Sequence, residues 1–69
     1  MVEMTWICYV SKTNANREAR EMRSLRRKQG RKPKIIVEQR GKGRALNKFR
    51  TSKGSRYVET DKHFCVVEK

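Results

Sequence analysis

Apolar residues in this chain fall in short runs separated by long polar stretches. The first run, Thr5-Trp6-Ile7-Cys8-Tyr9-Val10, is rich in β-branched and aromatic residues and reads as a strand apolar on both faces. By alternation, Trp6, Cys8 and Val10 share one face and Thr5, Ile7 and Tyr9 the other. From Ala15 to about Gln29 the period becomes helical: Ala15, Ala19, Met22 and Leu25 form one narrow stripe. Thr13 and Asn14 offer N-caps. Gly30 suits a left-handed helix end, and Pro33 forbids continuation.

Lys34-Ile35-Ile36-Val37-Glu38 reads as a second strand. A glycine-interrupted basic loop follows, Gln39-Arg40-Gly41-Lys42-Gly43-Arg44. Ala45 to Arg50 fits either a helical turn, through Leu46 and Phe49, or a strand. Thr51 to Ser55 is a turn or mobile loop. Arg56-Tyr57-Val58-Glu59-Thr60 and His63-Phe64-Cys65-Val66-Val67 read as two strands, with Asp61 and Lys62 at the bend of a hairpin. The order β-α-β-loop-β-β predicts a small α+β domain over 1–69. It has a three- or four-stranded, mostly antiparallel sheet with one amphipathic basic helix packed on one face. Trp6, Met22, Leu25, Ile36, Phe64 and Val66 are the expected core.

The chain has 69 residues, which suits one small domain, too small for both an extensive core and a deep substrate cavity. No run reaches the roughly 18 apolar residues of a membrane-spanning helix. Met1-Val2-Glu3-Met4 carries an acid and no basic flank, so no signal peptide is expected, and the cytoplasm or nucleoid is the expected location. Charged residues are 38% of the chain, a composition that leans toward disorder, but the clustering of apolar residues argues for a fold.

Lys and Arg number 19 against 7 Asp and Glu, a formal net charge of +12. The excess lies in two blocks, 12–34 and 40–56, set between near-neutral apolar runs. Such blocks focus a field that attracts polyanions. On the helix, Arg17, Arg20, Ser24, Arg27 and Lys28 cluster opposite the apolar stripe, with Arg23 on one flank and Glu18 and Glu21 on the other. The two acids are expected to pair with arginines. The loop glycines allow close backbone approach to phosphates, although their spacing is not that of a P-loop.

Arg27-Lys28-Gln29-Gly30-Arg31-Lys32-Pro33-Lys34 resembles a degenerate AT-hook, the short minor-groove motif centred on Gly-Arg-Pro. The resemblance covers eight residues, and Lys32 stands between Arg31 and Pro33, which loosens any A·T readout that the motif implies.

Catalytic and metal signals are sparse. His63 is the only histidine, and His63 with Cys65 makes an isolated H-x-C pair. Cys8 and Cys65 would meet only if the first and last strands were neighbours; two reduced, buried thiols are expected. Trp6 and Phe64 are expected to pack, leaving Tyr9, Phe49 and Tyr57 as candidates for stacking on bases.

These features together predict a non-catalytic, regulatory nucleic-acid-binding protein with no cofactor and no metal. Duplex DNA is slightly favoured over structured RNA. The contacts would come from Arg17, Arg20, Arg23, Arg27, Lys28, Arg31, Lys32 and Lys34, then from Arg40, Lys42, Arg44, Lys48, Arg50, Lys53 and Arg56. A second reading is an interaction module or inhibitor that binds an acidic protein surface, for example that of a nucleic-acid enzyme. A third is a toxin-like, metal-independent RNase using His63, Glu59 or Tyr57.

Overall fold

The β-branched and aromatic run near the N-terminus forms strand β1, Met4–Tyr9, in the computed structural model, which describes residues 3–69. Met1 and Val2, in the stretch where no signal peptide is expected, lie outside the described residues. Helix α1 spans Lys12–Lys28, and β2, β3, β4 and β5 span Ile35–Arg40, Gly43–Leu46, Tyr57–Thr60 and His63–Glu68. The sheet order is β2-β5-β1-β3-β4. The α+β class holds, with five strands in place of three or four. The sheet is mixed, because β1 and β3 pair in parallel while the other pairs are antiparallel.

The helix ends where the glycine predicts. Gly30 has φ +76°, its N–H donates to the Arg27 carbonyl, and the Arg31 N–H donates to the Arg26 carbonyl. This pair of bonds is the Schellman arrangement. The start differs from expectation. Ser11, in extended conformation, precedes the first turn and accepts from Ala15 N–H through its carbonyl, while Thr13 and Asn14 lie inside the helix.

The C-terminal strands do not form a hairpin. β4 pairs with β3, and β5 inserts between β2 and β1. Composition explains the choice. The run Phe64-Cys65-Val66-Val67 is apolar on both faces and suits a central strand, whereas Tyr57-Val58-Glu59-Thr60 alternates and tolerates an edge. The basic loop does not join neighbouring strands, since β2 and β3 are separated in the sheet by β5 and β1. Gly41 and Lys42 carry the chain past the start of β5, where the Gly41 carbonyl lies 2.7 Å from Nδ1 of His63. β3 joins the sheet at one register position, Tyr9 opposite Leu46, and the Val10 N–H donates to the Leu46 carbonyl at 3.0 Å.

The core lies between helix and sheet and is built from Tyr9, Ala15, Ala19, Ile35, Leu46, Phe49 and Val66, flanked by Ile7, Met22, Val37 and Phe64. Of the expected core residues, Val66 is buried and Met22 and Phe64 are half-buried, but three are misplaced. Trp6 is 42% exposed because a bulge between Thr5 and Ile7 takes it out of alternation. Its indole N–H donates to Oε1 of Glu68 at 3.1 Å. Leu25 is 53% exposed because the buried stripe continues from Met22 to Arg26, whose guanidinium pairs with Glu68 at 3.0 Å. Ile36 points to the sheet face away from the helix, and its neighbour Ile35 takes the core position.

On that far face, Cys8 and Cys65 stand directly opposite each other on β1 and β5 and are joined by a disulfide, with 3.9 Å between their Cα atoms. The expectation of two reduced thiols is therefore corrected. Strand order makes the first and last strands neighbours, which spacing along the chain does not reveal. Above them Arg40 reaches from β2 across β5 to donate to Oγ1 of Thr5 on β1. This arm helps to shield Cys65 and Val67, both fully buried on a face without a helix.

Candidate nucleic-acid interface

The cations divide into those held inside the fold and those presented to solvent. Helix periodicity sends Arg23 and Arg26 toward the sheet. Nε and Nη2 of Arg23 both donate to the Ile35 carbonyl, at 3.0 and 2.7 Å, which ties the helix to the start of β2. Arg26 donates through Nε and Nη2 to the two Glu68 oxygens, and its guanidinium lies 5.3 Å from the Trp6 ring centroid. Arg26 and the aromatic stack of Arg26 with Trp6 did not emerge from the sequence, because only the bulge brings the indole there. These donors hold the Glu68 carboxyl below the usual carboxylate range, Arg26 first.

Arg50 is likewise internal in role. Its Nε donates to Oε1 of the buried Glu18 at 2.7 Å, its Nη2 to Glu21 at 3.4 Å, and its backbone N–H to the Tyr9 hydroxyl at 3.2 Å. Tyr9 in turn donates to Glu18 at 2.9 Å. Burial, with the Glu18 carboxylate adding to it, pushes the Tyr9 phenol up to about 12, and the Glu18 bond raises the Arg50 guanidinium above its ordinary value. Arg17 lies 4.0 Å from the Phe49 ring centroid and 4.0 Å from Glu21. Arg40 contacts Glu38 at 3.5 Å as well as Thr5. The expected pairing of Glu18 and Glu21 with arginines is thus present.

The rest of the predicted set is exposed, and among the described residues no ion pair engages it. Arg20, Arg27 and Lys28 line the outer face of α1, and Arg31, Lys32 and Lys34 continue beyond the Gly30 turn. Lys42, Arg44, Lys48, Lys53 and Arg56 lie on β3, β4 and the segments beside them. The long connection 47–56 is ordered by local bonds: Asn47 N–H to the Arg56 carbonyl, Asn47 Oδ1 from Arg56 N–H, and Ser52 N–H to the Phe49 carbonyl. Gly54 takes φ +82° in its turn. The sequence thus marks the cationic face but does not separate Arg23, Arg40 and Arg50, whose partners include the Ile35 carbonyl, Thr5 and Glu18, all far off along the chain.

The aromatics exchange roles. Tyr9 and Phe49 are buried and stacked, with centroids 5.6 Å apart, so they do not offer faces to bases. Trp6 and Tyr57 are the exposed rings. A shallow groove of about 210 Å³ lies between Trp6, Ile7, Met22, Glu18 and Arg50, and an open cleft of about 390 Å³ is lined by Lys42, Gly43, Arg44, Glu59, Thr60 and Asp61. The second combines both signs of charge. His63 is buried, with Nδ1 committed to the Gly41 carbonyl. No described helix is long and apolar enough to cross a membrane. In comparisons with protein families, curated proteins and solved structures, nothing matches this chain.

Proposed function

We propose that this protein binds nucleic acid, without catalysis, through phosphate contacts from two cationic strips. One strip is Arg20, Arg27 and Lys28 with Arg31, Lys32 and Lys34; the other is Lys42, Arg44, Lys48, Lys53 and Arg56. The observation that carries the reading is the division of the cations. Four of the acids, Glu18, Glu21, Glu38 and Glu68, are paired within the chain to Arg17, Arg26, Arg40 and Arg50, Glu18 in the interior and Glu21 and Glu38 at the surface. The lysines and remaining arginines of the two strips are left facing water. Holding so many like charges together costs stability in an isolated domain, and a polyanion would offset that cost.

Duplex DNA remains the favoured target. The free cations lie on the outer face of a helix and around the β3–β4 ribbon, elements that can follow the phosphates of a duplex. The exposed Trp6 and Tyr57 keep structured RNA as the alternative, because unpaired bases stack on such rings. The burial of His63 counts against the RNase reading. A role of this kind would be exercised in the cytoplasm or on the nucleoid.

The test is fluorescence-anisotropy binding to duplex DNA, single-stranded DNA and structured RNA over a salt series. For duplex DNA the log–log slope is about −0.9 per phosphate neutralised. Tight binding with a steep slope and a clear order among the three supports the proposal. Weak binding with no order overturns it and directs the search to an acidic protein partner.

A further inference from the structure

We propose that reduction of the Cys8–Cys65 disulfide opens a binding site for a thiophilic d¹⁰ metal ion, Zn²⁺ or Cu⁺, with His63 as the third ligand. Register assembles the set. Cys8 and Cys65 are directly opposed on β1 and β5, and His63 lies two residues before Cys65, on the same face of the strand. The two sulfurs and a ring nitrogen of His63 all lie within 4.8 Å of one another. An H-x-C pair is a weak signal in sequence; strand order adds the missing sulfur.

The histidine is held as a ligand would be. Its Nδ1 lies 2.7 Å from the Gly41 carbonyl, which can only accept, so Nδ1 carries the proton and Nε2 keeps the lone pair. Metal-binding histidines characteristically donate their second ring nitrogen to a carbonyl or carboxylate in this way. Gly43 makes room for the ring: a Cβ there would stand 2.8 Å from Cε1 of His63. The ring and Cys65 are buried, while Cys8 is half-buried on the helix-free face, which gives an ion a route in.

The chemistry balances with a dithiol as reductant. Two electrons and two protons pass from the dithiol to the Cys8–Cys65 bond, the dithiol becomes a disulfide, and two thiols form. The ion then displaces both thiol protons. The freed sulfurs need to move apart to about 3.8 Å to span a tetrahedral ion bonded to each at about 2.3 Å. Water from the open face completes the coordination of Zn²⁺, whereas Cu⁺ is content with three ligands. A disulfide oxidant reverses the step: it takes two electrons from the two thiolates, is itself reduced to a dithiol, and the re-formed Cys8–Cys65 bond expels the ion.

The experiment uses the full chain, reduced with dithiothreitol, freed of reductant without air, and titrated with Co²⁺ as a spectroscopic probe. The expected result is an equimolar complex with thiolate-to-cobalt charge-transfer absorption and the intense visible bands of a tetrahedral site. Zn²⁺ should bleach those bands, and the oxidised protein should show none. Cys8→Ser, which leaves one thiolate, should weaken cobalt binding and reduce the sulfur bands at least by half. His63→Asn, which keeps a donor for the Gly41 carbonyl, should weaken binding by at least about tenfold, the scale on which even supporting residues act. Zn²⁺ should also raise the thermal midpoint of the reduced protein, because it binds the folded arrangement. A pale spectrum without sulfur bands overturns the proposal. So do unchanged affinity in His63→Asn and a midpoint that falls with Zn²⁺, the mark of thiols ligating only in the unfolded chain.

Discussion

Arg50 and Glu18 are 32 residues apart in the chain, yet Nε of the one lies 2.7 Å from Oε1 of the other. The contact clips the long 47–56 connection onto the helix, and Tyr9 closes the network from β1. Glu18 is 5% exposed, and these donors supply the hydrogen bonds that its buried oxygen needs. Arg50→Ala is expected to cost about 2 kcal/mol in urea unfolding, below the figure for a fully buried pair because the guanidinium is half exposed. Glu18→Gln, which can still accept from both donors, is expected to cost less. Equal losses would show that the charge on Glu18, and not its acceptor geometry alone, holds the contact together.

Charge reversal at Arg20 and Arg27 together, to Glu, should weaken polyanion binding by well over about tenfold and make the salt slope shallower by roughly two. Both side chains point away from the sheet, so the far-UV spectrum and the urea midpoint should hardly change. The same reversal at Arg23, which binds the Ile35 carbonyl, should instead destabilise the fold. Anisotropy titrations beside urea curves separate the two outcomes.

The two glycines of the basic crossover should respond differently. A Cβ on Gly41 meets nothing within 4 Å, whereas one on Gly43 stands 2.8 Å from the His63 ring. Gly41→Ala is expected to be neutral or slightly stabilising, since it restricts the unfolded chain. Gly43→Ala should cost about 1–3 kcal/mol, because the buried ring has to move. A urea midpoint for each variant decides the matter, and equal midpoints would remove His63 from its described position.

Stability should fall at both ends of the pH scale for separate reasons. The Glu68 carboxyl is held low in the folded state, so its contribution is complete above the ordinary glutamate range and is lost as pH falls through the lowered value. Tyr9 is raised from 10.0 to about 12, so its contribution is complete below pH 10 and is lost as pH rises toward 12. Glu68→Gln should therefore lose its deficit relative to wild type in acid, and Tyr9→Phe should lose its deficit in alkali. Thermal midpoints measured across pH test both.

Reduction of Cys8–Cys65 in metal-free buffer should lower stability by about 2–4 kcal/mol, because the bond closes a loop spanning 57 positions. Cys8→Ser should reproduce the loss and abolish its dependence on reductant. A midpoint that is the same in both redox states would show that the sheet holds the loop closed by itself.

The order of elements is legible in the sequence because each apolar run keeps one period and is bounded by Gly, Pro or polar residues. Strand order is not legible. Nothing local to Thr60-Asp61-Lys62-His63 distinguishes a hairpin from a crossing to the sheet centre; the two-sided apolarity of Phe64 to Val67 does, once sheets are compared whole. The bulge at Trp6 and the exposure of Leu25 are hidden for a related reason. Alternation assumes an unbroken ladder, and a stripe through Met22 continues equally well at i+3 or i+4. The cationic surface reads well because charge blocks need no register. Distinguishing the inward arginines requires knowing where Glu18, Glu68 and the Ile35 carbonyl sit in space.

The placement of β5 between β2 and β1 also sets a timetable. Every element from β1 to β4 is synthesised before the strand that unites the first two strands of the sheet. Until residues 63–68 leave the ribosome, β1 and β2 have no partner between them, and the helix has no complete floor to pack on. Folding must therefore wait for the last strand and bring together segments far apart in the chain, which is slow compared with local pairing. By then both basic blocks, 12–34 and 40–56, have already been made, so their charge meets ribosomal RNA before the fold can pair any of it with Glu68.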